Sequence, residues 1–311
     1  MSQETPLPTD VKVGFKERLS YSIGDLGYNL MYFWVSAYLM IFYTDVFGIS
    51  MAAVMMLMLV VRIFDAVNDP ILGAMADNTK RKTGTYRSWI QWGSLGLGLG
   101  ILALFWAHTG MTDGWKLVYI YATYILVVCF STATNMPYGV LNGTITTNDH
   151  ERTKISSLRF IMVFLGNMGV VAVAAPLLGW LDVENNPSGA YISAVAIFCV
   201  ISIPMLWWAA FKTREVVKTP ETQPKLSVAD RFRSLKSGPI ISVIVANLFH
   251  GFVYYGRAAV FPYYFTYYCN SPSMIVTFGV VNGIANVAGC LISPYIHKIF
   301  KHTARAAAFD L

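Results

Sequence analysis

Eight runs of predominantly apolar residues follow one another along this chain, each at or above the ~20 residues a helix needs to cross a bilayer. We read them at 21–47, 51–76, 88–109, 115–143, 156–181, 189–211, 239–268 and 273–297. In hydrocarbon every backbone N–H and C=O must be bonded internally, so these runs are expected to be helices of a membrane bundle. Composition agrees: the 311 residues are 55% hydrophobic and 13% charged, with a mean hydropathy of +0.51, whereas a soluble domain is about 25% charged. The stretch from Met1 to Lys16 holds Pro6, Pro8, Asp10 and Lys12 and lacks the apolar core of a cleavable leader, which leaves insertion to the first run. A further apolar run opens near Ala304 and stops at Leu311, which reads as a ninth span cut short.

Basic residues orient the spans. With the N-terminus in the cytoplasm, Lys12, Lys16 and Arg18 precede the first span, and Lys80, Arg81, Lys82 and Arg87 lie between the second and third. Arg152 and Lys154 precede the fifth, seven more lie between Lys212 and Ser237, and Lys298, Lys301 and Arg305 follow the eighth. The loops on the other side carry Lys116. That split of nineteen against one obeys the positive-inside rule and predicts a multi-pass protein with a cytoplasmic N-terminus. The division expected is a cytoplasmic N-terminus (1–20), a six-helix half (21–211), a cytoplasmic linker (212–238) and an incomplete second half (239–311). Net charge of +6 thus reads as topology, with the lipid bilayer as partner and no nucleic acid.

The second span carries Arg62, Asp65 and Asp69 at i, i+3 and i, i+4 spacing, so the three share a face with Asn68 close by. An ionisable group at membrane depth costs at least about 2.5 kcal/mol and needs a reason. One reading is a structural ion pair between helices. The other is a cation site, since one guanidinium cannot neutralise two carboxylates and the surplus charge can be met by Na+, by a proton or by a basic group elsewhere.

Arg159 and Arg257 are either counter-charges or bidentate donors to a diol or carboxylate. Asp25 and Asn29 lie one turn apart in the first span with Tyr28 and Tyr32 on an adjacent face, a mix that suits either a sugar cavity or helix–helix hydrogen bonds. Asn282 and Asn286 pose the same choice in the eighth span, and tyrosines from Tyr254 to Tyr268 crowd the seventh. Gly96 and Gly100 form a small-xxx-small pair that predicts close helix packing. Cys129, Cys199, Cys269 and Cys290 have no CxxC spacing and read as buried small hydrophobes. The sequence has no phosphate-binding loop, no HExxH and no nucleophile–base pair, so neither an ATP motor nor an intramembrane enzyme is read here, and no cofactor is expected.

These residues resemble a known family. The stretch YSIGDLGYNLMYFWVSAYLMIFYTDVFGIS from Tyr21 to Ser50 is similar to the first span of the glycoside–pentoside–hexuronide:cation symporters, the melibiose permease family, which have the major facilitator fold. The stretch from Arg62 to Ile90 carries that family's DP-x-x-G-x-x-x-D signature as Asp69, Pro70, Gly73 and Asp77, continuing through Lys82, Gly84 and Arg87. The segment NMPYG (Asn135 to Gly139) and the run to Phe160 match the connection between spans four and five.

The resemblance implies an all-α membrane protein of the major facilitator fold, with the first six-helix half and about two and a half helices of the second. It implies a coupling-cation site at Asp65, Asn68, Asp69 and Thr132, with Na+ held by Asp65 and Asp69 or a proton by Asp69, and Arg62 beside it. Asp25, Tyr28, Asn29, Tyr32, Asn135, Arg159 and Arg257 become the substrate-binding candidates. Arg62, Asp77, Lys80, Arg81, Lys82 and Arg87 become a gating charge network. The melibiose permeases carry a Lys–Asp pair and an Asp with a Trp where this chain has Tyr28, Asn29, Asn135 and Gly139, so another pentoside, a glucuronide or an oligosaccharide fits better than an α-galactoside. The expectation is a monomeric Na+- or H+-coupled sugar symporter of the bacterial inner membrane. A carrier-derived membrane sensor is the alternative, and its mark would be an attached signalling domain, which these residues do not show.

Overall fold

The computed structural model describes residues 13–78, 85–107, 110–146, 148–182, 186–213, 238–271 and 273–309. Among them all regular structure is helical: α1 (Phe15–Ile41), α2 (Met51–Asn78), α3 (Thr85–Leu104), α4 (Asp113–Ile145), α5 (Asp149–Leu181), α6 (Pro187–Lys212), α7 (Gly238–Tyr263) and α8 (Ser273–Phe309). Each of the eight apolar runs is a helix. Four stretches, Met51–Gly73, Asp113–Ile145, His150–Leu181 and Pro187–Lys212, are long and apolar enough by length and composition alone to cross a membrane. The ninth span expected near Ala304 is not a separate element, because α8 runs unbroken to Phe309.

Helix ends are finished by side chains that the sequence places there. Asn148 accepts from the backbone N–H groups of His150 and Glu151 to open α5, and Asn186 accepts from that of Gly189 to open α6, with Pro187 in its first turn. At the other ends, basic residues donate to carbonyls past the last helical hydrogen bonds, where the helix dipole is negative. Arg152 donates to Gly143 and Thr146 at 3.0 and 3.1 Å, tying α4 to α5. Arg87, at the start of α3, donates to the carbonyl of Thr213 just past α6. Lys116 donates to the carbonyl of Phe47 at 3.2 Å, so the basic residue expected on the far side has a local task.

Two compact units divide the chain, with breaks between Lys218 and Thr219 and between Ala288 and Gly289. In the first, α1 packs on α5 and α6, α3 on α4 and α6, and α2 on α4. Glycines set the closest approach. A Cβ at Gly96 would lie 2.3 Å from the Phe130 ring and one at Gly100 would lie 2.8 Å from Val127, so α3 sits directly on α4, as the Gly96/Gly100 spacing predicts. Trp34, Phe42, Phe105, Tyr191 and Phe198 form an aromatic cluster where α1, α3 and α6 meet. The outer face of α2 is apolar and exposed through Met56, Leu59, Ile63, Val67 and Ile71, as lipid contact requires.

One construction occurs twice. The π-helical turn Phe42–Val46 follows α1, and Tyr264–Tyr268 follows α7. Phe47 N–H donates to Phe42 and Ile49 N–H to Tyr43; Cys269 and Ser271 donate in the same pattern to Tyr264 and Phe265. A residue with positive φ then reverses the chain, Gly48 (74°) in one and Asn270 (49°) in the other, before α2 or α8 begins. Glycine and asparagine are the residues that tolerate this backbone region best.

Candidate cation and substrate site

α2 brings its polar residues against α4 within the first unit. Thr132 Oγ1 donates to Asp69 Oδ1 at 2.9 Å, and Asn68 Nδ2 donates to Thr132 Oγ1 at 3.3 Å. Cys129 Sγ lies 3.8 Å from Asn68 Oδ1. Asn68 and Thr132 are buried, while Asp65 and Asp69 are half-buried on the same turns of α2. Arg62 Nη1 stands 3.8 Å from Asp65 Oδ2, with its side chain 76% exposed. Three of the four residues expected to hold a cation are therefore linked by hydrogen bonds, and the fourth, Asp65, is paired with Arg62.

Both helices carry a proline at this point and run on through it. Pro70 follows Asp69 inside α2, and Pro137 follows Thr132 by little more than a turn inside α4. Proline has no N–H to give the carbonyl four residues earlier, so Ala66 and Ala133 each lack the usual helix hydrogen bond. The available donors are two carboxylates, an amide oxygen and a hydroxyl. This is an oxygen-rich set with one guanidinium against two negative charges, suited to a hard cation. Among the described residues no group of three or more His, Cys, Asp or Glu side chains could hold a metal ion.

A second constellation joins α1, α4 and α5. Arg159 grips Asp25 with two hydrogen bonds, Nε to Oδ2 at 2.7 Å and Nη2 to Oδ1 at 3.1 Å. The Tyr138 hydroxyl reaches Asp25 Oδ2 at 2.9 Å and also the carbonyl of Tyr21, whose own hydroxyl donates back to the carbonyl of Tyr138. The two rings stack with centroids 4.6 Å apart, and the guanidinium lies over both, 5.4 and 5.0 Å from their centres. Of the two readings open for Arg159, the geometry is that of a counter-charge. A bidentate pair with its remaining edges on aromatic faces is close to neutral as a unit.

The other candidates are dispersed around these clusters. Tyr28 and Tyr32 stack at 5.3 Å, and the Tyr28 hydroxyl shares a 2.6 Å hydrogen bond with Ser131 on α4. Asn29 donates to the backbone carbonyl of Asp25 at 2.8 Å, and Asn135 is exposed on α4. The backbone of Arg257 lies in α7 and that of Asp77 in α2, but their side chains fall outside the described residues, as do Arg81 and Lys82 altogether. In the second unit, Asn286 donates to the carbonyl of Asn282 at 2.7 Å, a bond within one helix. Sequence reasoning missed Tyr21, Cys129, Ser131 and Tyr138. A signal was present: Ser131, Thr132, Asn135, Tyr138 and Asn142 recur every three or four residues as a polar stripe along an apolar helix.

Residues 20–309 match the family described as MFS/sugar transport protein. The chain is 29% identical to the inner membrane symporter YicJ of Escherichia coli (strain K12), over 89% of this chain and 60% of the relative. It is 33% identical to the isoprimeverose transporter of Lactiplantibacillus pentosus, over 82% of this chain and 53% of the relative. It is 28% identical to the putative glycoside/cation symporter YagG of E. coli, over 89% and 60%. The chain thus spans at most 60% of the length of these relatives.

Proposed function

The chain belongs to the MFS/sugar transport protein family, and on that premise we propose that it supplies the cation-coupling part of a sugar or glycoside symporter. The family is one of multi-pass membrane transporters and not of enzymes. The observation that carries the coupling claim is the hydrogen-bonded trio Asn68–Thr132–Asp69 beside Asp65, built across two proline-containing helices of apolar spans. In this reading Na+ or a proton meets the surplus negative charge of Asp65 and Asp69. The occupied carrier then moves between outward- and inward-facing states, and linkage makes each ligand tighten the other. The charge distribution supports a bacterial inner-membrane protein with its N-terminus in the cytoplasm.

The substrate face is assigned to Tyr28, Tyr32, Asn29 and Asn135, beside the Asp25–Arg159 pair. Stacked tyrosines offer an apolar platform for a sugar ring, and the amides offer donors and acceptors for its hydroxyls. The relative named as an isoprimeverose transporter makes isoprimeverose the first substrate to try, with xylobiose and a nitrophenyl glucuronide beside it. The test is accumulation of these sugars by the full-length protein in proteoliposomes under an imposed Na+ or proton gradient. Accumulation that collapses with the gradient is the expected result; uptake indifferent to both gradients contradicts cation coupling.

A further inference from the structure

Ser131 and Thr132 are consecutive residues of α4, and each hydrogen-bonds a different neighbour. Thr132 donates to Asp69 on α2, at 2.9 Å, within the cation cluster. Ser131 shares a 2.6 Å hydrogen bond with the hydroxyl of Tyr28 on α1, and Tyr28 stacks on Tyr32 at 5.3 Å. The opposite side of this turn is sunk into α3. A Cβ at Gly93 would lie 2.6 Å from Thr134 and 3.2 Å from the Ala133 backbone, and one at Gly96 would lie 2.3 Å from the Phe130 ring. The turn is therefore backed by α3 while its two hydroxyls face α1 and α2. Pro137 withholds the hydrogen bond that would otherwise hold the Ala133 carbonyl, so the backbone is least constrained next to these two residues.

Resting on the symport reading above, we infer that Ser131 is the positioning residue that couples the two ligands, transmitting the state of the Asp69–Thr132 pair to the Tyr28/Tyr32 platform. Adjacent residues on one helical turn cannot move independently. A cation that draws Asp69 and Thr132 into its coordination shifts the turn, and the shift reaches the Tyr28 hydroxyl through Ser131. The ring plane presented to a sugar changes with it. By reciprocity the same link lets a sugar on the tyrosines tighten the cation site. Ser131 touches neither ligand in this scheme, so its loss separates coupling from binding.

The experiment measures glycoside Kd for the full-length protein in proteoliposomes, with and without the coupling cation. Na+ and an acid step are both applied, to isoprimeverose, xylobiose and a nitrophenyl glucuronide. Cation occupancy is read separately as protection of Cys129, beside Asn68, from alkylation. Wild type is expected to bind its glycoside roughly 5–150-fold more tightly with the cation, the usual range of ligand coupling. Ser131→Ala should bring that ratio to about one while leaving cation protection of Cys129 and cation-free glycoside binding near wild type. Ser131→Thr, which keeps the hydroxyl, should keep the ratio, and Tyr28→Phe combined with Ser131→Ala should reduce it no further than Ser131→Ala alone. A Ser131→Ala protein with the wild-type ratio overturns the inference and leaves the symport reading standing. A wild type with no cation effect on any of the three sugars overturns the symport reading, and the inference falls with it.

Discussion

Thr132 accepts from Asn68 and donates to Asp69, so a single hydroxyl links the residues proposed to hold the cation. Thr132→Val keeps the shape and removes both bonds; it should weaken cation protection of Cys129 about tenfold or more, since a hydrogen bond to a charged group is worth roughly 1.5–3 kcal/mol. Thr132→Ser should stay near wild type in the same alkylation assay. The Asp25–Arg159 pair makes a different kind of claim. Removing one partner of a buried ion pair leaves the other charge uncompensated at a cost of about 3–5 kcal/mol. Arg159→Ala should therefore lower the thermal midpoint of the purified protein, and adding Asp25→Asn should recover much of the loss. The carboxylates, the arginines and the Asp65/Asp69 spacing were all visible in the sequence. Their pairing was less so: Arg62 with Asp65 could be read from helical periodicity, but Asp25 meets Arg159 across α1 and α5 and only packing brings them together. The Tyr28–Ser131 contact was hidden for the same reason.

At the level of elements, apolar runs and connectors were enough to place the eight α-helices of the described residues, because bilayer thickness fixes span length and polar loops punctuate it. The Gly96/Gly100 spacing also announced close packing on α3, and the structure supplies α4 as the partner. What the sequence did not announce were the π-helical turns after α1 and α7, whose shifted hydrogen bonds depend on the reversal at Gly48 and Asn270. Nor did it show that the residues near Ala304 continue α8, since an apolar run carries no mark of whether a new helix has begun. The glycine contacts give a direct test. Gly96→Val places a branched side chain into the Phe130 ring and should cut the yield of folded protein in the membrane and lower its thermal midpoint. Gly179→Ala, where an added Cβ meets nothing within 4 Å, should do neither. Equal tolerance of both would contradict the packing of α3 on α4.

The molecule as a whole joins three things: apolar spans flanked by basic residues, an oxygen-rich cluster between α2 and α4, and an aromatic and amide face on α1 and α4. Family membership identifies the first as the frame of a transporter. The other two support the proposal of a coupled one, in which Asp69 is the residue the coupling turns on. Its measurement is uptake by the full-length Asp69→Asn protein in proteoliposomes, scored both as uphill accumulation under a Na+ or proton gradient and as downhill exchange of the same glycoside. The account expects exchange to persist while gradient-driven accumulation disappears. Full accumulation by Asp69→Asn, at the wild-type level and under the same gradient, would contradict it.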